Sequence, residues 1–193
     1  MRHNALRDSV ANVMKEVCTD VKVEPALLPV NPNDYSSRTN TSDGARLDIS
    51  ACGIKGTFER TFIDIRVSHP HAPSNVTLTL KQVYERNEKE KNDLYRERVI
   101  QSEKGSFYPM VFLTTGGAGP ECSAIMKELS DQIADKRQEP YSSVINHLRV
   151  KLRFALLKST LIAIRGTRGK TVRERMMGQV SLNTIPKKDA YET

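Results

Sequence analysis

Cysteine is scarce in this chain. Its three, Cys18, Cys52 and Cys122, lie far apart, and no C-x-x-C spacing occurs. That argues against a disulfide framework and against a cysteine-based zinc site. Free thiols fit a reducing compartment, and Cys18 and Cys122 fall in helix-like segments where core packing is expected. Long apolar runs are missing too. No segment approaches the roughly 20 residues of a membrane helix. The start, Met1-Arg2-His3-Asn4-Ala5, is polar and mixed in charge, unlike a signal peptide, and begins inside a helix-like pattern without an evident cap, as a piece of something longer would. A soluble, intracellular protein with no membrane partner is expected, and a nuclear location is compatible with that. There is also no phosphate-cradling loop. Thr115-Gly116-Gly117-Ala118-Gly119-Pro120 is glycine-rich, but it lacks the lysine of a P-loop, and its proline removes an amide. It reads as a strand-to-helix turn.

Acidic residues are few at the C-terminal end. From residue 141 onward there are eleven Lys/Arg against three Asp/Glu, whereas the preceding residues have 19 against 20. The net charge of +7 therefore belongs to the last quarter. A polyanion such as nucleic acid is one partner that suits it. The ordinary alternative is a solvated helix kept soluble by lysine and arginine. At 193 residues the chain is long enough for one domain with a proper core. We expect that domain over 1–168 and a basic, poorly ordered tail over 169–193.

Periodicity supplies the elements. Leu6, Val10, Val13, Met14 and Val17 make an amphipathic stripe over 4–18. Val21–Pro25 reads as a short strand, and the Asn/Pro/Ser-rich 31–44 as a loop. Strands at 46–50 and 61–67 follow, joined through Gly53 to Gly56. His69 to Ser74 is a proline-broken turn. A helical pattern spans 79–103, an apolar strand 107–115, and helices 123–137 and 141–165. This order predicts an α/β fold: a small mixed four-stranded sheet flanked by helices, with two further helices at the C-terminal end.

The two central strands carry the chemistry. In Arg46-Leu47-Asp48-Ile49-Ser50, alternation puts Leu47 and Ile49 on one face and Asp48 on the other. In Thr61-Phe62-Ile63-Asp64-Ile65-Arg66-Val67, Asp64 and Arg66 share a face with Phe62. Paired as a hairpin, the strands would bring two carboxylates and a cation together, as oxygen-ligand metal sites require. Asp is depleted in strands, yet either one alone could simply face solvent.

Asp48 followed by Asp64-x-Arg66 resembles the PD-(D/E)XK, or restriction-endonuclease-like, superfamily. From about residue 2 to about residue 166 the chain resembles, in particular, a nuclease-like domain found with reverse transcriptases in animal mobile elements. The matching stretches are 2–8, 23–25, 45–48, 58–67, 69–75, 88–91, 107–112 and 115–117. The resemblance implies an αβββαβ core and metal-dependent hydrolysis of DNA phosphodiesters. It implies Mg²⁺ or Mn²⁺ on Asp48, Asp64 and the backbone carbonyl of Ile65, with Arg66 beside the phosphate. A reverse transcriptase or parent polyprotein is the implied partner.

Arg66 departs from the lysine of the pattern. Arginine stays charged and clamps phosphate, but it is a poor base. Lys91 is a candidate replacement, because a helical wheel puts it among Leu80, Tyr84, Leu94 and Tyr95 on the face turned to the sheet. The superfamily relocates its lysine in this way. Snorkelling to solvent is the alternative. Glu88 and Tyr95 sit at helical spacing to support Lys91. Glu24 could add a third carboxylate or merely end a strand. His3 could reach the site from the first helix or cap the surface, and the His69-x-His71 pair is a weak ligand signal.

The last helix shows two apolar stripes, one through Val144, Leu148, Leu152 and Ala155, the other through Val150, Phe154, Leu157, Leu161 and Ile164. Arg149 and Arg153 lie in one gap and could serve DNA. Lys151 and Lys158 lie in the other. Such a helix is central or shared with a partner, including a second copy. Three readings stay open: a nuclease, an inactive nucleic-acid-binding module on the same fold, and an assembly module.

Overall fold

A computed structural model describes the backbone from Arg2 to Met177 and side chains from His3 to Ile162. Helix α1 (Arg2–Met14) buries Leu6, Val10, Ala11, Val13 and Met14. It ends four residues before the apolar periodicity does, in tight turns that carry Cys18 N–H back to the Met14 carbonyl at 2.7 Å. Cys18 thus lies in a turn rather than a helix. Its thiol is pushed up to about 11 by burial. Strand β1 (Thr19–Val23) follows. Pro25 has no N–H to continue a ladder, and Glu24 before it takes a left-handed conformation, φ +53°.

Strand β2 (Ile49–Cys52) and strand β3 (Arg60–Ser68) form the antiparallel hairpin, with Ile49 opposite Ile63 and Ser50 opposite Phe62. Strand β4 (Ser106–Leu113) runs parallel to β3 and pairs Asp64 with Pro109. Proline is tolerated there without the N–H that a central strand would use. The sheet order is β1-β2-β3-β4, with β1 antiparallel to β2. The mixed four-stranded sheet is therefore as expected, but β2 starts three residues later than its sequence pattern. Leu47 precedes the ladder and packs with Phe62 and Phe107, while Ile49 packs with Ile63 on the other face. The alternation that joined Leu47 to Ile49 fails because the chain bends at Asp48.

Between β3 and β4 the chain crosses in helix α2 (Leu80–Arg98), opened by a reciprocal capping box of Thr79 and Gln82. A wide turn over Val99–Glu103 closes it, ending at Lys104 with φ +53°. Helices α3 (Pro120–Arg137) and α4 (Tyr141–Met177) complete the chain. Pro120 occupies the first turn of α3, where no N–H is needed, so the glycine-rich segment is a strand-to-helix turn. The helix α4 continues through Gly166, beyond the predicted end at 165. Residues 178–193, the rest of the expected tail, lie outside the described residues.

One face of the sheet is covered by α1, α3 and α4 around Ile63, Ile65, Met110 and Ile125. The other carries a smaller cluster of Leu27, Ala45, Leu47, Phe62, Val99 and Phe107, under α2 and the loop before β2. The wholly buried Arg98 ties that loop down by donating to the carbonyls of Leu28 (2.8 Å), Asn40 (2.6 Å) and Ser42 (3.2 Å). Replacing Arg98 by Met strands three carbonyls, which costs about 3 kcal/mol or more. Urea unfolding should show that loss, and a loss below ~1 kcal/mol would mean the loop does not depend on this residue.

Candidate active site

Asp48 stands at the bend before β2, where its N–H still donates to the Ile63 carbonyl at 3.1 Å. The next ladder donor, the N–H of Ile65, has no carbonyl to meet. The Asp48 carboxylate takes that place, accepting from it on Oδ2 at 2.6 Å. Nε2 of His3, from the first turn of α1, lies 2.9 Å from the same oxygen and 3.0 Å from the Ile65 carbonyl. A carbonyl only accepts, so Nε2 carries the hydrogen. Bonding to Asp48 raises the His3 imidazole above its ordinary value of 6.5, against an opposing effect of burial. His3 therefore faces the site and is not a surface cap.

Asp64 sits in the middle of β3 on the side turned to α2 and is 7 % exposed. The Lys91 ammonium, one-fifth exposed, lies 2.8 Å from its Oδ2. That oxygen nonetheless accepts no well-directed hydrogen bond, so the two make a contact ion pair. Burial raises the Asp64 carboxyl above the ordinary carboxylate value, Lys91 opposes the rise, and the nearby charge of Asp48 adds to it. Lys91 thus turns inward instead of snorkelling. Tyr95 holds it from one side, with the ammonium 5.6 Å from the ring centroid. The Tyr95 ring leans on Phe107, and its hydroxyl accepts from Asn40 Nδ2 at 3.4 Å.

Two expected supports go elsewhere. Glu88 accepts from the N–H of Glu121 at 3.1 Å, so it caps α3 rather than positioning Lys91. It packs so tightly on Gly119 that an added Cβ there would lie 2.4 Å from Glu88 Oε1. Glu24 is bound by the buried Arg7, which also holds Asp8. Its left-handed backbone conformation accompanies that pairing, and no group of three His, Cys, Asp or Glu able to hold a metal occurs among the described residues.

Arg66, two residues beyond Asp64, is one-third exposed and donates to Glu90 Oε1 at 2.7 Å. With His3, Ile65, Val67, His69 and Thr114 it lines an open hollow past the carboxylates. His69 accepts the His71 N–H on Nδ1 at 3.0 Å, which locks the turn. Arg149 and Arg153 lie further along, lining a cavity of about 240 Å³ with Phe112, Gly116, Ser123 and Met126. Arg153 Nε donates to the Gly116 carbonyl at 3.2 Å. The part played by Glu90, Thr114 and Asn40 was not readable from the sequence, because each meets its partner only across elements.

No protein-family model and no curated protein matches the chain.

The charge arrangement has a pH signature. A carboxyl raised by burial holds its proton more firmly when folded, so ionising Asp64 costs stability as pH rises past its ordinary value of 3.8. In Lys91→Met nothing offsets that cost, and a loss on the order of 3 kcal/mol is expected at pH 7.5. The loss should shrink on acidification, and Asp64→Asn should restore stability at neutral pH. Urea titrations at pH 5 and 7.5 test this, and an equal loss at both would show that Lys91 acts through packing alone. His3 follows the same sign in a higher pH window. Its bond to Asp48 contributes fully below pH 6.5 and is lost as pH rises through the raised value. An NMR titration should place His3 above 6.5 and lower it in Asp48→Asn.

Proposed function

We propose that the chain is a metal-dependent endonuclease-like domain of the restriction-endonuclease-like kind, cutting DNA in the service of a mobile element. The observation that carries this reading is the inward Lys91 in contact with Asp64, beside Asp48 and the Ile65 carbonyl. A helix-borne lysine thereby joins the paired carboxylates, where the strand itself offers only Arg66. The element order, αβββαβ followed by two helices, supports the same reading.

The donor set suits a hard divalent cation. Asp48, Asp64 and the Ile65 carbonyl offer only oxygen, and Mg²⁺ binds through few protein ligands while keeping several waters. Asp64 Oδ2 meets the Lys91 ammonium without a well-directed hydrogen bond, so the ion pair leaves a lone-pair direction for a metal. When bound, Mg²⁺ or Mn²⁺ supplies charge neutralisation at the phosphate and a more acidic water.

The chain's own residues supply the rest. Asp48 and Asp64 would hold the ion, and His3 would yield its place on Asp48 Oδ2 and the Ile65 carbonyl. Lys91, held between α2 and the sheet, would orient the attacking water by donating to it from its ammonium. Arg66 would leave Glu90 to clamp the phosphate through its planar fork. Arg149 and Arg153 would meet the DNA backbone further along.

One observation favours a second reading, an inactive nucleic-acid-binding module. Both carboxylates already have resident partners, the His3 ring N–H on Asp48 and the Lys91 ammonium on Asp64. The deciding assay is cleavage of single-stranded, nicked and duplex DNA with Mg²⁺ or Mn²⁺. Asp64→Ala should lose at least 100-fold while staying folded. Mn²⁺ alone should raise the melting temperature of the wild type but not of Asp48→Asn. Undiminished cleavage by Asp64→Ala would falsify the site. Metal-independent, salt-sensitive DNA binding without cleavage would leave the second reading standing.

A further inference from the structure

Helix α4 is packed on one side and bare on the other over the same turns. Val144, Ile145, Leu148, Leu152 and Leu156 are at most 4 % exposed, against α1 and α3. Val150, Phe154, Leu157 and Leu161 are 49, 65, 53 and 45 % exposed. At about 100° per residue, these four centre opposite the buried row. Their spacing of four, three and four residues is that of a seam between two helices. These four occupy an arc of about 60°, and the exposed Ile162 is set off from them by Lys151 and Lys158. A contiguous row of large apolar side chains of this kind marks an interaction surface.

The flanks identify what fits. Arg149 and Arg153 border the seam on one side, Lys151 and Lys158 on the other, and all four are exposed. Between Tyr141 and Arg165 there is no aspartate or glutamate. Two copies of α4 laid seam to seam, parallel or antiparallel, would set Arg and Lys against Arg and Lys, which opposes pairing. A lipid surface asks for a broader apolar face than this one. The complement is a helix with apolar residues at the same repeat and carboxylates at its edges.

We propose that the outward face of α4 docks an acidic amphipathic helix from a partner protein. The seam residues make the dry contact, and the four basic residues select the partner by charge and reject a second copy. The seam does not draw on the nuclease reading, since none of its four residues is among the candidate site residues, whereas Arg149 and Arg153 would compete between the DNA backbone and the partner's carboxylates.

The test uses the whole 193-residue chain and a labelled 21-residue amphipathic peptide, of about six turns. The peptide has leucine at the seam positions and glutamate at the flanks, and a control peptide has lysine at the flanks. Fluorescence anisotropy should show saturable binding of the glutamate peptide and at least tenfold weaker binding of the lysine one. The glutamate peptide should also bind more weakly as salt is raised. The variant F154S/L157S, altered only at exposed positions, should keep the wild-type melting temperature and bind at least tenfold more weakly. Equal binding of both peptides, or no saturable binding, overturns the proposal. So does a wild-type dimer in sedimentation that the variant abolishes, which would give the seam to a second copy. Flotation with phosphatidylserine vesicles that is lost in the variant would give it to a membrane, and equally overturns the proposal.

Discussion

A carboxylate set into the middle of a sheet is costly to ionise without a cation beside it, and that constraint at Asp64 fixes much of this molecule. Asp64 lies within β3 and Asp48 at the bend before β2, and the charge of Asp48 adds to the cost of ionising Asp64. Their partners come from different helices: His3 from the start of α1 and Lys91 from the middle of α2. Ile65 stands between them. Its N–H is held by Asp48 and its carbonyl by His3. The register of β2 against β3, the approach of α1 and the rotation of α2 thus meet at one residue. Buried ion pairs add little stability over a well-packed apolar replacement. Stability alone therefore gives little reason to bury the Lys91–Asp64 pair in place of apolar side chains.

Parts of this arrangement were legible in the sequence. An aspartate inside Thr61–Val67 and a lysine among Leu80, Tyr84, Leu94 and Tyr95 both break a local apolar pattern, and the structure brings those two into contact. The helices were legible because their buried positions recur at helical spacing, as at Ile125, Met126, Leu129 and Ile133. Asp48 was legible only as a residue, not as a geometry. Alternation of faces holds within a ladder, and Leu47 lies outside it. Nothing in Arg46–Ser50 announces that the aspartate side chain would stand in for a backbone acceptor.

The misread supports share a cause. Helical spacing placed Glu88 beside Lys91, but a free amide at the start of α3 competes for the same carboxylate and wins. Removing Glu88 would leave the Glu121 N–H without that partner, since Gly119, the residue before the helix, has no side chain to cap it. Glu24, which the sequence leaves as either a third carboxylate or a strand end, follows the last residue of β1 and is paired to Arg7. The length of α4 was misjudged from Gly166. A glycine inside a helix costs roughly 1 kcal/mol, too little to end a helix by itself.

The helix α2 shows why these polar partners matter beyond the site. Val83 is its only fully apolar side chain buried to the core level, and its other buried residues are Asn87, Glu88 and Arg98. A helix with so little apolar burial cannot take its position from the hydrophobic effect alone. Its place is set by Lys91 on Asp64 and by Asn92 and Arg96 on Glu121, at 2.8 and 3.1 Å. Arg98, on the loop carbonyls, fixes its far end. The hydrogen bonds of Asn92, Arg96 and Arg98 are directional, so they constrain rotation as well as distance. The same residues that hold α2 in register therefore bring the Lys91 ammonium onto Asp64, and the site inherits its precision from contacts up to two helical turns away.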